Sequence, residues 1–198
     1  MDALLDSEGD LGSPTLMDAM RGTNFVAGWR WLREQGLEAR YLSAFSDRDR
    51  ASVRAVQATE WVPMALVMAH YAALDALELD ANQMIEFGAS VSRNINGVVL
   101  STIASLAGRV GLSPLVPLKR AAKIFARNFR GGAVGIYQTG TNEARVDVLG
   151  APMATSATHR GTIVGGFLDG ARPFASSVRA NEMSGQRTAT SYAIRLRW

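Results

Sequence analysis

Helical spacing of apolar residues dominates the first two thirds of the chain, and alternating apolar residues follow in the last third. Ser-Pro pairs, capping boxes at 46–49 and 80–83, and Gly36 mark the ends of the helical stretches. Six helices are predicted there, at about 13–21, 23–35, 46–56, 59–74, 80–108 and 113–130. Residues 1–12 show no periodic pattern and are acidic, which predicts a loose leader.

The pattern changes at Gly131–Gly132. Residues 133–138 and 143–149 alternate apolar and polar positions around a short turn, which predicts a β-hairpin. Helical spacing returns over 155–170, and two further predicted strands end the chain, at 175–182 and 188–198. This order predicts an α+β fold, in which an N-terminal helical layer is followed by a small antiparallel sheet built as hairpin, helix and hairpin. Residues 13–198 are expected to form a single domain.

Composition narrows the chemistry. The 198 residues are 47% hydrophobic and 20% charged, as in a folded globular chain, and none is cysteine. Disulfides, thiolate metal sites, iron–sulfur clusters and cysteine nucleophiles are therefore excluded. His70 and His159 have no metal-ligand spacing with acidic residues, and no serine nucleophile motif occurs, so neither a metal site nor a catalytic residue is predicted. Whether the protein is an enzyme stays open, with a non-enzymatic role favoured.

Heme bound through His70 is the cofactor that these residue types still allow. One axial histidine and an apolar pocket suffice to hold heme. His70 lies in an apolar helical stretch, where a histidine is more often a core residue than a ligand. Heme is therefore disfavoured, and no cofactor is predicted.

Charge is distributed unevenly between the two ends of the chain. Residues 1–118 contain 9 basic and 14 acidic side chains, whereas 119–198 contain 12 and 4. The predicted helix 113–130 carries five cations, Arg120 and the four expected to face a partner: Lys119, Lys123, Arg127 and Arg130. Such a face is either solvated or binds an acidic protein partner. Nucleic acid is not favoured, because no nucleic-acid-binding motif accompanies the charge.

Targeting signals are missing from the N-terminal region. Its acidic residues replace the basic start and apolar segment of a signal peptide. The most apolar stretch, 97–112, is interrupted by polar residues and Arg109, so no membrane span is predicted. A cytoplasmic protein is expected.

The predicted helix 80–108 is long for a small core. About 29 residues span roughly 43 Å at about 1.5 Å per residue. Its apolar positions approach a heptad spacing: Met84, Phe87, Val91, Ile95, Val98, Thr102 or Ile103, and Leu106. The helix is therefore either the central buried helix or the seam of a homodimer.

Glycines recur at short intervals on the predicted helix 155–170, at Gly161, Gly165, Gly166 and Gly170. Because glycine has no side chain, this spacing favours close packing of the helix against another element over contact with a flat ligand. Gly131–Gly135 lacks the spacing of a phosphate-binding loop and follows a helix rather than a strand, so no nucleotide site is predicted there.

Four segments together resemble an uncharacterised family of about this length that is expanded as paralogues in myxobacteria. They are Trp61–Pro63, Arg127–Gly132, Gly161–Gly170 and Ser191–Trp198. The resemblance spans residues 22–198, and none of its motifs is catalytic. Family members commonly continue Asn-Phe-Arg-x-Gly with polar and aromatic residues, whereas glycine, alanine and valine follow here.

The order of predicted elements also resembles the superfamily of heme nitric-oxide-binding domains, 4-vinyl-reductase-like domains and transport-particle subunits. That resemblance implies a cavity between the helical layer and the sheet, which accepts a small apolar ligand in some relatives and is filled in others. The chain lacks the cysteines used by two of these groups and the tyrosine–serine–arginine motif for heme propionates, which disfavours heme.

Two functions follow as hypotheses. The first is a non-enzymatic regulatory or sensory domain that binds a small apolar or amphipathic molecule between helices and sheet. The expected ligand-binding residues are Trp61, Met64, Met68, Phe125, Phe129 and Phe167. The alternative is a scaffold or interaction module with a filled core, which recognises an acidic partner through the basic helix.

Overall fold

A five-stranded antiparallel sheet packed against helices gives the α+β fold that the sequence predicts. The computed structural model describes residues 2–110, 113–175 and 177–198, and the side chains of 96–110 lie outside that description. The described helices are α1 (Gly22–Glu34), α2 (Glu38–Ser43), α3 (Asp47–Ala55), α4 (Met64–Asp75), α5 (Ala81–Val110), α6 (Leu115–Leu118), α7 (Ala121–Asn128) and α8 (Ala157–Ala171). The described strands are β1 (Ala3–Glu8), β2 (Ala19–Arg21), β3 (Trp61–Pro63), β4 (Phe129–Arg130), β5 (Ala133–Gly140), β6 (Glu143–Leu149), β7 (Arg179–Glu182) and β8 (Ser191–Arg197).

The large sheet has the strand order β1-β5-β6-β8-β7, and every neighbouring pair is antiparallel. The predicted hairpin is the β5–β6 pair, and the closing alternation of the sequence is β8. Val146 on β6 pairs with Ile194 on β8, and both side chains are fully buried. Because one face of this sheet is buried and the other is polar, a slip of one residue would expose the whole apolar set, and this fixes the register.

Residues 1–12 differ from the loose leader that their sequence predicts, because β1 pairs with β5 at the edge of the large sheet. The side chain of Asp6 on β1 accepts a hydrogen bond of 3.0 Å from the backbone N–H of Ala122. That contact satisfies one of the free N–H groups at the start of α7. The predicted helix 113–130 is two helices in the structure, α6 and α7, and its last two residues form strand β4. Pairing with a distant strand decides this region, and no local pattern signals it.

A second sheet has three short strands in the order β3-β2-β4. It lies where the sequence predicts helix at two places. The predicted helix 13–21 is absent, and Trp61–Pro63 is a strand rather than the first turn of a helix. Met20, Val62 and Phe129 lie buried on the inner face of this sheet. Burial of these three side chains outweighs the local capping signals, since helix propensity is a weak preference that tertiary context overrides.

Close packing between α5 and α8 depends on glycine. A Cβ added to Gly165 would overlap the carbonyl oxygen of Ile85 and would lie 2.9 Å from the backbone nitrogen of Ala89. Gly88 on α5 is equally close to the backbone of Thr162. A Cβ on Gly170, by contrast, would meet no atom within 4 Å. Gly165 therefore allows the backbones of α5 and α8 to touch, whereas Gly170, near the end of α8, faces open space.

The first half of α5 packs inside the chain. Phe87 and Val91 are buried, and the Phe87 ring lies edge-on to the Trp31 ring with centroids 5.3 Å apart. The later positions of the predicted dimer seam lie outside the described side chains: Val98, Thr102, Ile103 and Leu106. Within the described ranges, neither α5 nor any other helix has the length and hydropathy needed to cross a membrane.

Substitution of two glycines on α8 tests this packing. Gly165→Ala is expected to lower the free energy of unfolding by about 1–3 kcal/mol, because the new methyl group meets backbone that has no room to move. Gly170→Ala, the matched control, is expected to raise it by about 0.5–1 kcal/mol, since it adds helix propensity in open space. Urea denaturation of both variants measures the difference. Equal effects of the two substitutions would contradict the backbone contact.

Candidate ligand-binding site

An apolar cavity of about 150 Å³ lies between α5, α7 and α8. No charged side chain lines it among the described residues. Its larger apolar side chains include Val91, Ile95, Ile124, Phe125, Phe129 and Phe167. The cavity is partly open to solvent. Enclosed apolar cavities of this size stay dry and accept molecules such as benzene. The cavity is therefore suited to a small uncharged molecule.

Three polar side chains at the cavity wall are hydrogen-bonded within the protein. The Asn24 side-chain amide donates to the Asn128 side-chain oxygen at 3.1 Å, and the Asn128 amide donates to the backbone oxygen of Ile124 at 2.8 Å. The Thr162 hydroxyl donates to the Thr158 backbone oxygen at 2.7 Å. A buried polar group that is already hydrogen-bonded does not demand a polar ligand. The wall is thus mainly apolar, and the hydroxyls of Tyr71 and Ser92 are its other polar side-chain groups among the described residues.

Three of the six predicted ligand-binding residues line this cavity: Phe125, Phe129 and Phe167. The other three do not. Trp61 lines a separate cleft, Met64 packs against the core elsewhere, and Met68 is 37% exposed at the surface. The correction has a geometric cause, because Val67, Tyr71 and Leu74 occupy the buried side of α4 and turn Met68 outward.

Other wall residues were not among the expected ones. Gly166 and Gly170 line the cavity, and the glycine spacing of the sequence was their signal. Asn24 comes from α1 and Asn128 from α7, 104 positions apart in the chain. Nothing in the local sequence indicates that these two side chains meet, since only the tertiary structure brings α1 and α7 together.

A second, more polar cleft of about 370 Å³ lies beside the three-stranded sheet. Glu8, Asp10, Trp61 and Arg130 contribute its polar and aromatic lining. The Arg130 guanidinium is held by the Asp18 carboxylate, with Nε and Oδ1 2.6 Å apart. This cleft shares the side chains of Phe125 and Phe129 with the apolar cavity.

The four cations predicted to bind an acidic partner are exposed: Lys119, Lys123, Arg127 and Arg130. Lys123 and Arg127 lie on the outer side of α7, whereas Phe125 on the same helix is buried. Arg130 forms an ion pair with Asp18, so part of its charge is already neutralised. Recognition of an acidic partner through these residues stays a prediction.

Both histidines are core residues, each hydrogen-bonded to a tyrosine. His70 Nδ1 lies 2.6 Å from the Tyr41 hydroxyl, and His159 Nε2 lies 2.8 Å from the Tyr192 hydroxyl. Burial lowers the pKa of His70 to about 3. Burial, followed by the nearby charge of Arg160, lowers the pKa of His159 to about 3 as well. Both imidazoles are therefore neutral at ordinary pH.

Comparison with known proteins places the fold. No protein-family model matches the chain, and no curated protein matches it either. Among solved structures, an unliganded Fe(II) H-NOX protein from K. algicida has 10% identity and a TM-score of 0.63, over 90% of this chain and 96% of that chain. An oxygen-binding H-NOX domain related to soluble guanylate cyclases, in its oxygen complex, has 11% identity and a TM-score of 0.58, over 90% and 94%.

A third similar structure, described in terms of heme distortion in the H-NOX family, has 13% identity and a TM-score of 0.56, over 90% of this chain and 95% of that chain. The chain therefore has an H-NOX-like architecture, as the order of its predicted elements indicated. These neighbours contradict the prediction that no cofactor is involved, since they are heme proteins with the same fold. Heme is the cofactor that the fold implies.

The wall of the apolar cavity does not fit heme in the described conformation. Among the described residues, Tyr71 is the one wall residue of a type that serves as an axial heme ligand. Burial raises the pKa of its phenol, so the phenolate that would bind iron is disfavoured. His159 Nδ1 has no hydrogen-bond partner within the described residues, but His159 does not line the cavity. The rings of Tyr71 and Phe129 pack against His159 and form the cavity wall at that point. No reaction step is derived through heme.

The two buried histidines predict a loss of stability in acid. Each pKa is about 3 in the folded chain against about 6.5 when unfolded, so between these values the unfolded chain binds more protons. The free energy of unfolding is therefore highest above pH 6.5 and falls as the pH drops toward 3. Each histidine adds a slope of about 1.4 kcal/mol per pH unit between roughly pH 4 and 5.5.

The double variant Tyr41→Phe with His70→Phe measures this slope. It removes one titrating group together with its hydroxyl partner, and so leaves no buried group unpaired by the change. Urea denaturation at several pH values should show a slope lower than wild type by about 1.4 kcal/mol per pH unit. Tyr41→Phe alone keeps His70 and should keep the wild-type slope. An unchanged slope in the double variant would mean that His70 is protonated in the folded protein.

Proposed function

We propose that this protein is a sensory domain that binds a small, uncharged, apolar molecule in the cavity between α5, α7 and α8. One observation carries the proposal: the cavity of about 150 Å³ has no charged lining side chain in the described part of the chain, and its Asn24, Asn128 and Thr162 side chains are hydrogen-bonded within the protein. Water gains little in such a space, because it needs two to four polar partners. A ligand of benzene size binds there with a Kd on the order of 1 mM or below.

The position of α7 couples ligand binding to the rest of the molecule. Phe125 on α7 and Phe129 at its end line the cavity, so a ligand contacts both. The start of α7 is held by Asp6 on β1, at the edge of the large sheet. A ligand that packs against α7 therefore stabilises the placement of α7 against that edge strand. This link gives the protein a way to report occupancy, since a ligand shifts an equilibrium by its differential affinity for two states.

The likeness to H-NOX domains supports a sensory role. One similar structure is an oxygen-binding H-NOX domain related to soluble guanylate cyclases, so the same architecture binds a small molecule in that protein. The cytoplasmic location and the homodimer stay predictions of the sequence.

Benzene as a probe tests the cavity. Benzene at about ten times its Kd should raise the free energy of unfolding of the wild type by about 1.4 kcal/mol. Gly170→Leu should abolish that gain while folding normally, because the new side chain enters open space at the cavity wall. Gly185→Leu is the matched control: it also adds a side chain in open space, but it lines neither the cavity nor the cleft, and it should keep the gain. If both variants lose this gain in the free energy of unfolding equally, benzene does not bind in this cavity.

Hemin titration followed by absorption spectroscopy addresses the cofactor that the fold implies. The same pair of variants locates any bound heme, since Gly170 lines the cavity and Gly185 does not. A Soret band that Gly170→Leu abolishes and Gly185→Leu retains would place heme in this cavity. That result would overturn a ligand of benzene size.

A further inference from the structure

The apolar cavity and the polar cleft are separated by two aromatic rings. Of the described residues, Phe125 and Phe129 are the two that line both spaces. Phe125 lies on α7 and Phe129 is the first residue of β4, directly after that helix. Their ring centroids are 4.5 Å apart and the rings are tilted by 31°, so the two rings are in contact. This contact lies between the two spaces.

The two spaces differ in chemistry on either side of this aromatic pair. The cavity of about 150 Å³ is lined mainly by apolar groups, and the asparagine and threonine side chains at its wall are already paired. The cleft of about 370 Å³ is lined by the carboxylates of Glu8 and Asp10, the indole of Trp61 and the Arg130 guanidinium. A molecule that is apolar at one end and polar at the other fits both spaces, with its apolar end in the cavity and its polar end in the cleft.

The charges of the cleft favour one kind of polar end. Arg130 is paired with Asp18, whereas Glu8 and Asp10 form no ion pair among the described residues. Asp10 accepts hydrogen bonds from the backbone N–H groups of Gly12 and Ser13. Ionised carboxylates accept hydrogen bonds and donate none. A head group that donates hydrogen bonds is therefore favoured, and an anionic head group is repelled.

We infer that the cavity and the cleft are two compartments of one binding site for an amphipathic molecule. Its apolar chain lies in the cavity and passes the Phe125–Phe129 pair, whose rings move apart when it binds, and its head group, an ammonium or a hydroxyl, lies in the cleft beside Glu8 and Asp10. This inference rests on the proposed function, because it takes the cavity as the place of the apolar end. It adds the class of ligand and a second set of contacts.

Three probes with the same chain test the head group: octylammonium, 1-octanol and octanoate. Isothermal titration calorimetry with the full chain at neutral pH should show octylammonium as the tightest, 1-octanol as intermediate and octanoate as the weakest. Octanoate that binds as tightly as octylammonium would overturn the assignment of the head group.

Removal of one charge tests the cleft. Glu8→Gln keeps the size of the side chain and should weaken octylammonium about two- to five-fold, as expected for an exposed charge pair, and leave 1-octanol within two-fold. Glu34→Gln is the matched control, since Glu34 is exposed at the end of α1 and lines neither space. An equal response of octylammonium to both variants would overturn the role of Glu8.

Competition with benzene separates this inference from the proposed function. Benzene should displace octylammonium in the wild type, and Gly170→Leu should weaken octylammonium and 1-octanol alike, because the chain occupies the cavity. If benzene binds but does not compete with octylammonium, the joined site is wrong and the proposed function stands. If benzene gives no stabilisation that depends on Gly170, the proposed function fails and this inference fails with it.

Discussion

The backbone contact between α5 and α8 determines where the candidate site lies. Gly88 and Gly165 remove the side chains that would hold these helices apart, so the two backbones touch. Gly166, the next residue of α8, and Gly170, just over one turn beyond Gly165, do not meet the backbone of α5, and the space between the helices opens into the cavity there. The cavity is thus a consequence of where the close contact ends. Helix packing with small residues fixes the separation of two helices more tightly than larger side chains do.

The hydrophobic core beside this cavity contains two buried pairs of polar side chains. Two tyrosine–histidine pairs, Tyr41 with His70 and Tyr192 with His159, lie buried within it. Burial lowers the pKa of both histidines and raises the pKa of both tyrosines, so all four groups are neutral. Paired neutral groups carry little of the cost of burying a charge.

The fold and the site carry different information about function. At 10–13% identity the chain keeps the architecture of H-NOX domains, because a pattern of apolar positions is enough to specify an architecture. That architecture implies heme. The cavity wall of this chain, however, presents phenylalanines, glycines and paired asparagines. The side chains at the wall, and not the shared fold, therefore distinguish this cavity.

The sequence by itself determined the α+β class, the β5–β6 hairpin, the strand β8 and the glycine spacing of α8, because each depends on residues close together in the chain. It also indicated Phe125, Phe129 and Phe167, whose spacing places them on buried faces. The tertiary structure alone decided β1, the small sheet, the outward turn of Met68 and the meeting of Asn24 with Asn128. Those features depend on pairing between distant segments, whose free energy outweighs local preference and leaves no periodic signal in either segment.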